Sequence, residues 1–313
     1  MGLSKLFYKN KVKEIEEKAS PINILTYRKL VWMKFKSHKL ALIGSIILAA
    51  LIIFCFFGPL FTNKSYEDMD FSAIFSPPSI SSGHLLGTDE LGHDVLIRIM
   101  YGGRISLIVG FLSALLTTVI GTIVGLLSGF YGGIVDRFLM RFVDIMLSIP
   151  MFPILLILTM VFGSGLMNIV MVLTVFGWMS ISRLVRGLTL SLKESEYVIS
   201  AKAVGVKNME IILKHIFPNV LPIVIVSATL NVSYAILSES SLSYLGLGIQ
   251  PPMPSWGNML QKSMNYILGT VSGTTPWWLT FFSGLFIFLA VLNVNFLGDG
   301  LRDALDPKFT SNS

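Results

Sequence analysis

Six stretches of the chain carry little charge and run long enough to cross the roughly 30 Å hydrocarbon layer of a bilayer, which takes about 20 helical residues. They lie at about 40 to 61, 105 to 130, 138 to 162, 166 to 182, 217 to 245 and 279 to 297. The third and fourth are separated only by Gly163, Ser164 and Gly165, the shortest break in the pattern. An even number of crossings puts both termini on one side. Between the fourth and fifth runs, residues 194 to 219 (ESEYVISAKAVGVKNMEIILKHIFPN) are polar enough to leave the membrane. Yet Val198, Ala201 and Val204 or Gly205, then Ile211, Ile212 and His215 or Ile216, recur at three- and four-residue spacing, which predicts two short helices. Gly205 ends the first, because glycine reaches the left-handed conformation without a Cβ clash, and Pro218 stops the second before the membrane is re-entered. Small side chains at Ser200, Ala201 and Ala203 leave a surface that another protein's groove can approach closely. On pattern alone, a docking knob and a helix lying flat on the membrane interface remain equally open.

Composition removes the soluble alternatives. Hydrophobic residues make up 53% of the 313, charged residues 13%, and the mean hydropathy is +0.73; soluble domains are about a quarter charged. Lipid is therefore the expected solvent. Of the Lys and Arg residues, twenty fall before the first span, around Arg137 and Arg141, in the 183 to 214 segment and at Arg302 and Lys308, and only Lys64, Arg98, Arg104 and Lys262 fall on the opposite side. By the positive-inside rule this puts both termini and the 194 to 219 segment in the cytoplasm. The same distribution makes nucleic acid an improbable partner, since the net charge of +6 is spread over membrane-flanking loops instead of one basic face with stacking aromatics. A polar arm with Glu67, Asp68, Asp70, Asp89, Glu90 and Asp94 lies outside and is too long for a tight turn. The basic stretch of roughly 38 residues at the N-terminus lacks the apolar core and small-residue cleavage site of a signal peptide, so the first span is expected to stay as an anchor. The single Cys55 permits no internal disulfide.

Candidate chemistry is sparse. The sequence has no GxxxxGK[ST] phosphate loop, so the chain is not its own ATPase, and no HExxH, CxxC or GxSxG. No catalytic, cofactor-binding or metal-binding residue is expected. Asp94 is suited to the positive end of a helix opening beside it. His93 has no second His or Cys at ligand spacing and is expected at an interface. Gly121, Gly125 and Gly129, and one stripe earlier Gly110, Ala114 and Thr118, repeat every four residues and suit close helix packing in lipid. Asp136, Arg137, Arg141 and Asp144 are spaced to pair across helical turns, as are Asp299 and Arg302. Glu239 lies inside a long apolar run, where a carboxylate marks either a function or a hydrogen-bonded structural role with Ser240, Ser241 or a facing subunit.

The 194 to 219 segment resembles the loop signature of ABC-importer permeases, a Glu-Ala-Ala triplet followed by a glycine and a later proline, framing the helix that couples to the ATPase subunit. Ser200, Ala201, Ala203, Gly205 and Pro218 match, and Ile199 stands where the glutamate is usual, so contact there relies on shape and apolar packing. Four further stretches, 84 to 107 (with His93 for the usual arginine), 129 to 150, 236 to 260 and 295 to 309, resemble the C-type permease subunit of oligopeptide and dipeptide ABC importers, in the family's order.

The resemblance implies an all-α polytopic protein with six transmembrane helices, the type I ABC importer permease fold, and cytoplasmic N and C termini. It divides the chain into a cytoplasmic segment 1–38, a first helix 39–61, an external segment 62–103, a permease core 104–298 holding the coupling loop 194–217, and a cytoplasmic tail 299–313. It implies a second, homologous permease, two ABC ATPase subunits that bind ATP and Mg, an extracellular solute-binding protein, peptide substrate and surrounding lipid of a bacterial inner membrane. Coupling would fall to Ser200, Ala201, Ala203, Gly205 and Lys207. The substrate path would be lined by Asn231, Ser233, Ser238 and Glu239. Metal-chelate importers share the family. An ion-coupled secondary transporter working alone, with Glu239 as its coupling carboxylate, and a scaffold that transports nothing are the rivals from other classes.

Overall fold

A computed structural model describes residues 27–267 and 275–305; the remainder of the N-terminal basic segment and of the C-terminal tail lies outside the described residues. Helix α1 (Tyr27–Ser37) leads into α2 (Lys39–Phe57), whose start is capped by the His38 ring, Nδ1 accepting the Ala41 N–H at 3.1 Å. A short 3-10 turn (Gly58–Phe61) closes it, and an arm of turns with two isolated bridges, Ser79 to His84 and Thr88 to Asp94, leads to α3 (Val95–Tyr131). Then follow α4 (Gly133–Leu147), α5 (Met151–Phe162), α6 (Leu166–Lys193), α7 (Glu196–Ala203), α8 (Asn208–Ile211), a π-helical turn (Ile212–Ile216), α9 (Phe217–Tyr244), α10 (Trp256–Ile267) and α11 (Trp277–Leu305).

Five of these segments are long and apolar enough to cross a membrane, and α4 with α5 makes a sixth crossing only as a pair bent by 88°. The straight third span expected over 138 to 162 is thus broken. Pro150 lacks an N–H and restrains Ile149, and the Ser148 hydroxyl takes the Ile145 carbonyl at 2.6 Å, so the helix turns there instead of continuing. Other boundaries move outward. α3 begins ten residues before the expected 105, because Asp94 caps it, accepting from Leu96 N at 3.0 Å and Ile97 N, and because Arg104 finds the free carbonyls at the end of α2, Cys55 O at 2.8 Å and Phe56 O at 2.6 Å. At about 1.5 Å per residue α3 is far longer than the bilayer is thick. α6 runs on past Ser182 to Lys193, with Arg183 and Arg186 on the helix itself.

The two small-residue stripes of α3 serve different neighbours. A Cβ on Gly121 or Gly125 would meet the carbonyl of Trp178 or of Ser182 on α6 at 2.6 Å, whereas one on Gly110 would meet Ile236 of α9 at 2.5 Å. Close backbone approach is what holds helices together where lipid removes the hydrophobic drive between them. Ion pairs add to this at the Tyr131 end of α3, in a pattern local spacing could not show. Asp136 takes Arg186 and Asp144 takes Arg183, joining α4 to α6 instead of pairing within α4. Likewise Asp303 lies 3.5 Å from His38, and among the described residues Asp299 and Arg302 are not paired with each other.

Candidate functional site

At the Tyr131 end of α3, α7 and α8 stand on a small apolar core. Val198, Ile211, Ile212, Ile216 and Val220 are buried there with Leu126 and Phe130 of α3 and Ile181 and Val185 of α6. α7 ends as its glycine predicts. Gly205 has φ +86°, its N–H reaches Lys202 O at 3.0 Å, and the Val206 N–H reaches back to Ala201 O at 3.1 Å. This pair of bonds is a Schellman cap, with Val206 folding its side chain under the helix beside Ala201. The Lys202 ammonium lies 5.0 Å over the Phe130 ring, a further tie to α3.

The opposite face is bare. Ser200, Ala203, Gly205 and Lys207 are exposed and Ala201 is half-buried. Around them stand Ile199, Met209, Leu213 and above all Val204, 85% exposed. Spacing left Val204 or Gly205 as the next position after Ala201; the Schellman cap leaves both exposed and seats Val206 beside Ala201. The second helix also differs from expectation, because Pro218 does not stop it. Pro218 follows directly on the π-helical turn, and α8, that turn and α9 run on through Pro218 and Pro222 as one helical segment from Asn208 to Tyr244.

The four polar residues expected along the path are not on one face. Ser233, Ser238 and Glu239 are buried inside the subunit, Glu239 completely, and only Asn231 is partly open. The open stripe of α9 is Leu230, Tyr234, Leu237, Ser241 and Leu245. The Glu239 carboxylate accepts hydrogen bonds from Ser106 at 2.9 Å and Ser243 at 2.7 Å, with Ser240 at 3.5 Å, while Ser241 turns to the Leu237 carbonyl. Of these partners Ser240 was named from the sequence; Ser243, one helical turn beyond Glu239, and Ser106, on α3, were not. The arm is equally organised: Asp89 accepts from His93 Nδ1 at 2.8 Å, His84 Nδ1 lies 3.0 Å from Asp94, and the Trp278 indole donates to Thr88 O at 3.0 Å. His93 is buried and held by the Asp89 carboxylate. Exposed Asp70 in the arm has its carboxyl lowered from the usual range, chiefly by hydrogen bonds from Ser72.

Comparison with known proteins decides the family. Residues 121–311 match the model of the binding-protein-dependent transport system inner membrane component, and residues 26–78 match the N-terminal TM domain of oligopeptide transport permease C. The chain belongs to this family of inner membrane components. It is 41% identical over 284 residues to the dipeptide transport system permease protein DppC of Bacillus subtilis, covering 91% of this chain and 87% of the relative. Over 275 residues it is 44% identical to the oligopeptide transport system permease protein OppC of Haemophilus influenzae (88% of this chain, 86% of the relative) and 43% to that of Escherichia coli K12 (88% and 89%). The solved inward-facing MetNI methionine ABC transporter shares the fold, with a TM-score of 0.52 at 22% identity, over 66% of this chain and 94% of that one. In this inner membrane component, the main match opens midway along α3, at the first glycine of the stripe that packs on α6, and takes in both α7 and α8. The N-terminal match covers α1, α2 and the first part of the arm.

Proposed function

We propose that this chain forms half of the transmembrane pathway of an ATP-driven importer of oligopeptides or dipeptides, and that α7 and α8 receive the drive from ATPase subunits. The observation that carries the reading is the bare apolar face made by Ile199 of α7, Val204 at its end and Met209 of α8, on two helices whose other faces are locked into the core. Apolar groups presented to water on so firm a base suit a protein partner, and a push on α8 is passed straight into α9 by the unbroken segment. Ser200, Ala201, Ala203, Gly205 and Lys207 shape this knob, the small ones by letting the partner close in and Gly205 by setting the turn.

In this arrangement α7, α8 and both termini face the cytoplasm of a bacterial cell and the arm lies outside, which the twenty-to-four charge bias supports. A homologous second permease completes the path, two ATPase subunits bind ATP and Mg, and an extracellular solute-binding protein delivers the peptide. Nucleotide binds the closed ATPase pair better than the open one, and that difference switches the helices between outward-open and inward-open states. Substrate meets α9 along Leu230, Tyr234, Leu237 and Ser241, flanked by Asn231, with Ser233, Ser238 and Glu239 acting behind that face. A path with few polar groups suits peptides of varied side chains.

Reconstitution tests this. Proteoliposomes holding all subunits should take up peptide only with ATP inside the compartment of the ATPases. Strong uptake by this chain alone, driven by an ion gradient, would overturn the assignment.

A further inference from the structure

A fully buried carboxylate among apolar helices is costly, and packing alone would be served better by a leucine. Glu239 is held by serines on every side, Ser240 and Ser255 among them, but the two nearest, Ser106 and Ser243, each do a second thing. Ser106 Oγ donates to Glu239 Oε2 at 2.9 Å and accepts the Trp256 N–H at 3.3 Å. Ser243 Oγ donates to Oε1 at 2.7 Å and accepts the Ile249 N–H at 3.1 Å. A hydroxyl has a single proton. By taking both protons, the carboxylate turns a lone pair of each serine toward the loop between α9 and α10.

That loop is a folded-in wedge. Ile249, Ser255, Trp256 and Asn258 are buried. Asn258 closes the wedge on itself, its Nδ2 donating to Ile249 O at 3.0 Å and Met253 O at 2.9 Å, and the Trp256 indole donates to Ile99 O of α3 at 3.1 Å. Its two ends, Ile249 and Trp256, are the points where the serines grip it. A glutamine at position 239 could not do the same work, since its amide nitrogen is a donor and leaves one serine proton without its acceptor.

We propose that Glu239 is a positioning residue that, through Ser106 and Ser243, pins the wedge 249–256 against α3 and α9 and so sets the shape of the outer mouth of the pathway. The location at the outer mouth rests on the function and orientation proposed above; the pinning itself does not.

Hydrogen exchange on the complete importer in lipid nanodiscs tests it, read at single amides and paired with uptake kinetics. Glu239→Gln should speed exchange at Ile249, Trp256 or both by about tenfold, as expected when a buried amide loses the serine oxygen that accepts from it. Ser243→Ala should release Ile249 first and Ser106→Ala should release Trp256 first, while Ser240→Ala, whose hydroxyl bonds the carboxylate and no group of the wedge, should release neither. In uptake, Glu239→Gln should raise the external peptide concentration for half-maximal rate several-fold and lower the maximal rate less. Should Glu239→Gln fail to assemble, the two serine variants decide. Unchanged exchange in both, or acceleration spread along α3 and α9, overturns the proposal, as does a fall in maximal rate with the half-saturating concentration unchanged. If the exchange pattern holds but no peptide is taken up, the pinning stands and the functional assignment fails.

Discussion

The two ends of this bundle solve opposite problems. At the α7 and α8 end, apolar side chains stand in the open: Val204 is 85% and Ile199 55% exposed, above a core that keeps them from turning inward. At the other end, charged and polar groups are sealed away, with Glu239 fully buried behind the serines that hold Ile249 and Trp256. Each is the reverse of what a self-contained membrane protein needs. The first is explained by something outside the chain, a partner that covers the knob; the second by something inside it, a loop that has to be held.

Three substitutions sharpen the contrast, taken in order of their expected effect on the stability of the subunit. Trp256→Ala removes a buried side chain and its bond to Ile99 O, and should cost about 3–5 kcal/mol, seen as a clear fall in the thermal unfolding midpoint of the purified complex. Gly205→Val forces a β-branched residue into φ +86° and should cost about 1–2 kcal/mol, confined to α7. It should leave membrane insertion intact and uncouple ATP hydrolysis from uptake, and unchanged transport would refute the coupling role of the turn. Val204→Asp lies on the surface and should shift stability by no more than about 0.5 kcal/mol. If Val204→Asp destabilised the subunit as strongly as Trp256→Ala, the two ends would not differ as described.

Much of this was legible in the chain itself. Runs of apolar residues marked every membrane helix, and Asp94 and Gly205 marked a helix start and a helix end, because those signals act within one turn of the backbone. What escaped depends on distant partners. Asp136 and Asp144 looked able to pair within α4, yet their arginines come from α6, about 40 to 50 residues away. Ser106 lies 133 residues from Glu239, so the buried carboxylate could be flagged but its role could not. The period left Val204 or Gly205 open, and neither packs inward, because a Schellman cap reverses the chain within two residues, which a helical period carried past the end of α7 does not follow. The Ser148–Pro150 break in the third span was visible locally, but a proline after a long apolar run reads equally as a kink inside one crossing.

The central claim is that the bare knob on α7 receives the work of an ATPase. Its most direct test is Val204→Asp in the complete importer, measuring ATP-driven peptide uptake and the amount of ATPase that copurifies. The account predicts a fall in uptake of about tenfold or more with reduced ATPase recovery, since a charge would replace the centre of an apolar contact, and an unfolding midpoint within a degree or so of the parent's. Full uptake with normal ATPase recovery would contradict it.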